Sequence, residues 1–196
     1  MEKNFYHIPV PDKIFEKMYG VSFKENPYIS RDDLRYVKAL FYGFDCRVHW
    51  GEMVVNKAVA DSVVAILEEL FENKYQIERM ELIDDYGGDD NLSMAANNSS
   101  AFNYRCIAGT GKLSNHAFGM AVDINPFYNP YIREGADGCD IIEPQGSEIY
   151  ADRTRPFAHK IDHADPAYRL FTRYGFEWGG DWEGRKDYQH FEHKKL

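Results

Sequence analysis

The sequence predicts a single α+β domain, and three observations carry that prediction. Over residues 56–74 the apolar side chains Val59, Val63, Ile66, Leu67, Leu70 and Phe71 fall on one helical stripe. Over residues 118–125 the period changes to two, with Phe118, Met120, Val122 and Ile124 on one side and Gly119, Ala121, Asp123 and Asn125 on the other. There is no internal repeat or low-complexity run, so helices and strands of both kinds share one core. A chain of 196 residues is long enough to bury one.

Composition narrows the function. A hydrophobic content of 44% and an aromatic content of 15% exclude a disordered chain. No run of about 18 apolar residues occurs, so no membrane span is expected. A formal charge of -9, with no stripe of lysine or arginine, argues against a general nucleic-acid binder. Cys46, Cys106 and Cys139 are widely spaced, which suggests neither a disulfide framework nor a cysteine metal site; core or chance thiols are expected. The first residues, Met1-Glu2-Lys3-Asn4-Phe5, lack the apolar core of a signal peptide, which fits a cytoplasmic protein or one trimmed of its leader.

Residues 1–53 read as a helical lead-in packed on the rest. Asp12 precedes Ile14, Phe15 and Met18 at helical spacing, with Gly20 as a stop. Ser30 and Asp33 resemble a capping box ahead of Leu34, Val37 and Leu40, which predicts a second short helix. Residues 41–50 are left as strand or loop. The helix over 56–74 takes Asn56 as its cap. Residues 77–83 alternate and read as a strand, residues 84–100 as a long loop of the functional kind, and residues 101–107 as extended. Prolines 126 and 130 end the next strand, and residues 133–160 have no sustained period, which predicts an insertion wrapped over the surface. Asp165-Pro166 opens a compact helix that Gly175 closes.

The chemistry gathers in two stretches. On the strand over 118–125, Asp123 points over Gly119 and Ala121, whose small size leaves room for an ion and a substrate backbone. His116 has the wrong parity to share that face, so the chain must bend at or before Ala117 if the two are to converge. Near the C-terminus lies Asp187-Tyr188-Gln189-His190-Phe191-Glu192. His116, Asp123 and His190 make a zinc ligand set with a fourth position open for water, whose pKa falls to about 7 on the metal. Asp187 is the natural base for that water, carrying its proton to the leaving amine, and is expected in the turn entering the strand of His190. Arg105 faces an oxyanion or a substrate carboxylate, or else forms a surface ion pair. Ser114 orients a ligand or caps a turn, and Trp178 and Trp182 line a substrate groove or fill the core. His7, His49, His159, His163 and His193 lack a comparable context; His193, three residues after His190, is a decoy for the ligand.

Ser114-x-His116-x-x-Gly119-x-Ala121-x-Asp123 followed by Asp187-x-x-His190 resembles the signature of the zinc D-alanyl-D-alanine carboxypeptidase and L-alanyl-D-glutamate endopeptidase family. That family belongs to the superfamily named for lysostaphin, D-Ala-D-Ala metallopeptidases and sonic hedgehog. The likeness extends upstream through residues 97–105 and downstream through residues 176–192. It implies a small antiparallel sheet carrying zinc and flanked by helices, in a catalytic domain over residues 54–196. It also implies His116, Asp123 and His190 as ligands, Asp187 as acid/base where many relatives use Glu, and Arg105 as the transition-state or carboxylate contact. The implied partners are bacterial peptidoglycan stem peptides, which implies a place outside the cytoplasm or in a phage lysis system. The hedgehog branch leaves open a second reading, a non-catalytic zinc-binding module of the same fold.

Overall fold

The computed structural model describes residues 4–107 and 110–194. Helix α1 (Asp12–Met18) forms as its spacing predicts, and Gly20 follows it at φ 81°. The remainder of the expected helical lead-in is corrected to sheet. Strands β1 (Phe5–Pro9), β2 (Leu34–Tyr42) and β3 (Val48–Asn56) pair antiparallel in that order. The Ser30/Asp33 capping box does form, but it closes only the 3-10 turn Arg31–Asp33. The reason is legible in the burial of β2. Leu34 and Tyr36 enter one apolar cluster with α1, Phe23 and Phe102, while Val37, Ala39 and Phe41 enter the main core on the other face. A strand buried on both faces loses clean alternation, and its apolar residues at 34, 37 and 40 then imitate a helical face.

Helix α2 (Ala60–Glu72) buries Ala60, Val63, Ile66, Leu67 and Leu70, as predicted. Asn56 is not its cap. Its Oδ1 accepts from the Ala58 N–H at 3.0 Å, and its Nδ2 donates to the Phe118 carbonyl at 2.9 Å. The strand expected over 77–83 does not form: Arg79 makes a single bridge to Asn98, and Ile83 opens a 3-10 turn, Ile83–Tyr86. The expected loop over 84–100 contains helix α3 (Asp90–Ala95), where Asp89 accepts from the N–H groups of Asn91 and Leu92. Only Ser93 of α3 is buried, so no apolar stripe announces it.

Two further antiparallel sheets follow. One orders β4 (Ala121–Asp123), β9 (His190–His193) and β7 (Phe176–Trp178), with β9 central. The other orders β6 (Asp140–Glu143), β5 (Tyr131–Glu134) and β8 (Arg185–Asp187), with β5 central. The insertion expected over 133–160 thus contributes most of a hairpin, β5–β6, that pairs with β8. Helix α4 (Pro166–Arg173) begins at Asp165, which accepts from the Ala167 N–H at 2.8 Å, and Gly175 follows it at φ 86°. The α+β class holds, with three small sheets among the described residues in place of one. Val122, Ile124, Phe171 and Phe191 join Val37, Met53, Val63 and Leu70 in one core, so residues before and after 53 share their apolar contacts. Cys46, Cys106 and Cys139 are free and exposed, which leaves the chance reading of these thiols and not the core one.

Gly119 has a different task from the one expected. It adopts φ 64°, and a Cβ there would lie 2.6 Å from the Asn56 nitrogen. Its small size admits the backbone of β3, not an ion, and its carbonyl accepts from the Asn56 N–H at 2.8 Å. Gly119→Ala should destabilise the fold by about 2 kcal/mol or more, since a left-handed non-glycine residue alone costs roughly 1–2 kcal/mol. Thermal denaturation checks this: a fall in Tm of at least roughly 4 °C is expected for a chain of this size.

Candidate metal centre

The expected bend lies where the parity argument requires it. Asn115–Phe118 form a 3-10 turn that ends at the left-handed Gly119, and β4 begins two residues later. Ser114 caps the turn, its Oγ accepting from the His116 N–H at 3.3 Å. In capping the turn Ser114 also places His116, a candidate ligand. Residues 100–103 lace the two ligand segments together. Ser100 and Asp123 exchange backbone hydrogen bonds at 3.1 and 2.8 Å, and the Asn103 N–H donates to the His116 carbonyl at 3.2 Å.

His190 enters from β9, directly opposite Asp123 in the antiparallel register. His116, Asp123 and His190 are all buried, and one ligand atom from each lies within 4.8 Å of the others. The pairwise distances are 3.1 Å from His116 Nε2 to His190 Nδ1, 3.0 Å from His190 Nδ1 to Asp123 Oδ1, and 3.2 Å from His116 Nε2 to Asp123 Oδ2.

Hydrogen bonds on the far side of each ring determine what those atoms offer. His116 Nδ1 lies 2.5 Å from the Ala101 carbonyl, which can only accept, so Nδ1 carries the proton and Nε2 a lone pair. His190 Nε2 lies 3.0 Å from Glu192 Oε2, so neutral His190 turns the lone pair of Nδ1 inward. Two imidazole lone pairs and a carboxylate converge with no donor among them, which is a donor set for a cation such as zinc. Without a cation a proton takes that place: burial opposes charge on His190, but hydrogen bonds to Asp123 and Glu192 outweigh it and raise its pKa to about 10. Asp123 moves the other way, far below the usual carboxylate range, because the pull of both histidines overcomes its burial.

Glu192 was not singled out in the sequence, though the period of a strand gives it the same face as His190. Its Oε2 also accepts from Asn115 Nδ2 at 2.5 Å, tying β9 to the turn that carries His116. Burial works to raise its pKa, yet these donors lower it on balance, so it stays a carboxylate. Glu192→Gln should weaken metal binding about 10–100-fold, the usual effect of removing the carboxylate behind a ligating histidine. Competition with a chelating dye measures it; unchanged affinity would remove Glu192 from the centre. By the same alternation His193 faces away from His190, and it packs on Phe176 at 5.4 Å. His7, His49 and His163 meet Asp61, Asp45 and Asp181, and His159 stacks on Phe44, all outside the cluster.

A cavity of about 330 Å³ opens over the three candidate ligands. Asp187 lines it from the last position of β8, opposite Tyr131, with the Tyr188-Gln189 turn leading on to β9. Gly179 permits this placement, since a Cβ there would lie 2.6 Å from the Asp187 carbonyl oxygen. Asp187 Oδ1 is buried and has no hydrogen-bond partner among the described residues. Burial, which the charge of Asp123 reinforces and the histidines oppose, raises its pKa to about 7.

Arg105 lines the same cavity and is ion-paired with Asp90 of α3, which also accepts from Asn103 Nδ2 at 3.0 Å. It therefore combines the ion pair with a place in the site. Trp182 lines the cavity, its ring 5.1 Å from that of His190. Trp178 does not: it is 4% exposed, donates from Nε1 to the Tyr188 carbonyl at 2.9 Å and packs on Tyr168, so the core reading of this residue replaces the groove reading. Tyr131, Glu143 and Arg185 also line it and went unnoticed because strand pairing, not sequence proximity, brings them there.

Residues 108–193 match a family model described as D-alanyl-D-alanine carboxypeptidase. Searches among curated proteins and among solved structures give no match. The matched segment contains all three candidate ligands and Asp187, whereas Arg105 and β1 to β3 precede it.

Proposed function

We propose, on the premise that residues 108–193 belong to the D-alanyl-D-alanine carboxypeptidase family, that this chain is a zinc-dependent peptidase acting on bacterial peptidoglycan stem peptides, as a D-Ala-D-Ala carboxypeptidase or an L-Ala-D-Glu type of endopeptidase. One observation carries the reading: the lone pairs of His116 and His190 converge with the Asp123 carboxylate beneath an open cavity, beside a buried carboxyl oxygen of Asp187 that has no partner. Zinc bound there supplies Lewis acidity, polarising the scissile carbonyl and lowering the pKa of water toward about 7.

The chain's own residues do the rest. Ala101 and Glu192 hold the two imidazoles in the ligating tautomer. Asp187, with its affinity for a proton raised by burial, takes one from the attacking water and delivers it to the leaving amine. Arg105, steadied by Asp90, presents positive charge to the oxygen of the attacked carbonyl or to a substrate carboxylate. At about 330 Å³ the cavity has the size of a small-ligand site. Such a substrate puts the site of action outside the cytoplasm or in phage lysis.

Digestion of purified muropeptides with and without a chelator is the test. Release of a new amine that chelation stops and added zinc restores is expected. Tight zinc binding with no turnover across several stem peptides would favour the non-catalytic zinc module instead.

A further inference from the structure

Arg153 does not line the cavity, but its guanidinium ties together the segments that carry Asp123, Asp187 and His190. One terminal nitrogen donates to the Tyr128 carbonyl at 3.0 Å and to the Tyr150 carbonyl at 3.4 Å. The other donates to Asn129 Oδ1 at 3.0 Å and to the Ile161 carbonyl at 2.8 Å. Its Cζ lies 4.2 Å from the centroid of the Tyr188 ring and 5.0 Å from that of Phe157. All four acceptors are neutral oxygens, and burial of the charge lowers its pKa to about 10. Only the planar fork of a guanidinium meets such a set together with an aromatic face; a lysine ammonium is a single point with three donors.

These partners lead to the site. Asn129 is wholly buried, and its Nδ2 donates at 3.1 Å to the carbonyl of Asn125, two residues after Asp123. Tyr188 follows Asp187 directly and stands two residues before His190. Its N–H donates to the Pro130 carbonyl at 3.3 Å, its carbonyl accepts from Trp178 Nε1 at 2.9 Å, and the Gln189 carbonyl accepts from the Ile124 N–H at 3.0 Å. Backbone contacts thus place the turn, and Arg153 places the ring that projects from it.

We infer that Arg153 is a positioning residue, which acts through the Tyr188 ring and Asn129 to hold Asp187 and His190 in place beside Asp123. The inference rests on the peptidase reading for the role of Asp187 and on the candidate ligand set for that of His190. It gives a function to the chain beyond the β5–β6 hairpin, where Arg153, Phe157 and Ile161 lie. A misplacement of about 1 Å at a reacting group costs on the order of 10² in rate, so a residue that touches no substrate still reaches the chemistry.

The experiment compares wild type with Arg153→Met, Arg153→Lys, Tyr188→Leu, the double variant Arg153→Met/Tyr188→Leu, and Arg155→Met, which removes an exposed arginine nearby. With kcat referred to the zinc-loaded fraction, Arg153→Met should lower kcat on a muropeptide about tenfold or more while KM changes less than about threefold. Arg153→Lys should recover part of that loss, and Arg155→Met should match wild type. Because Arg153 acts through the ring, the double variant should retain about fivefold more activity than the product of the two single losses. Zinc affinity, read by competition with a chelating dye, should weaken about three- to tenfold in Arg153→Met, less than the usual 10–100-fold for a group bonded to the ligand itself. An Arg153→Met protein with a lower Tm but wild-type kcat and zinc affinity would overturn the inference, and losses that multiply fully would overturn the path through Tyr188. Where Arg153→Met does not fold, Arg153→Lys and Tyr188→Leu carry the same comparison. If wild type hydrolyses no stem peptide, the peptidase reading fails on its own, and the zinc affinities decide the inference: weakened affinity upholds it, and equal affinity overturns it.

Discussion

Asp187→Asn should bind zinc like wild type and lose hydrolysis of stem peptides by about 10²–10⁴-fold, the usual contribution of a positioned proton carrier. The substitution keeps the shape of the side chain and the tight passage past Gly179, so a loss of rate reports on the proton and not on the fold. Zinc content by elemental analysis and kcat on a muropeptide are the two measurements. A rate within about tenfold of wild type would remove Asp187 from the mechanism. A second signature is available in chelator-treated protein. Burial raises the Asp187 pKa to about 7, above the roughly 3.9 of an unfolded chain, so the folded state holds the proton more tightly. The stability this confers is complete below pH of about 4 and is lost as pH rises to about 7. Asp187→Asn should lack that decline, and the difference between the two unfolding curves across this window measures it.

His116→Ala should abolish tight zinc binding and with it all activity. The variant removes a candidate ligand and also the anchor that joins the 3-10 turn to Ala101. A metal that binds only the folded state stabilises it by about 2.7 kcal/mol at a hundredfold excess over Kd, or roughly 5–10 °C in Tm for a chain of this size. Wild type should show that rise on zinc addition, and His116→Ala should show almost none. Full retention of zinc after dialysis of the variant would mean that the ligand set is wrong. Because a proton occupies the centre in the absence of metal, zinc binding should also release protons, which buffers of different ionisation enthalpy report in calorimetry.

Much of the local structure was legible in the residues. The stripe from Val59 to Leu70 announced α2, the Asp165-Pro166 start and Gly175 stop announced α4, and the parity of His116 against Asp123 announced a bend before β4. These are effects of neighbours in sequence, and periodicity and capping report them faithfully. The misreadings have a common cause. β2 serves two apolar clusters at once, so its pattern mixed two faces, and α3 buries almost nothing, so it had no pattern to read. Gly119 is small because β3 passes behind it, a contact between residues about sixty positions apart.

By itself the sequence determined the donors: two histidines and an aspartate with a second aspartate three residues before the last ligand, in an order and spacing that resembles a known family. Only the tertiary structure decided how those donors are presented. The register of β4 on β9 sets Asp123 across from His190, Ala101 and Glu192 choose which nitrogen of each ring faces inward, and the β5–β6 hairpin delivers Tyr131 to the strand that ends in Asp187. Ligand identity resides in single side chains and survives in any reading of the chain. Tautomer, burial and the charge of a cavity wall arise from pairs of residues far apart in sequence, and hydrogen bonding and strand pairing create those pairs only when the chain has folded.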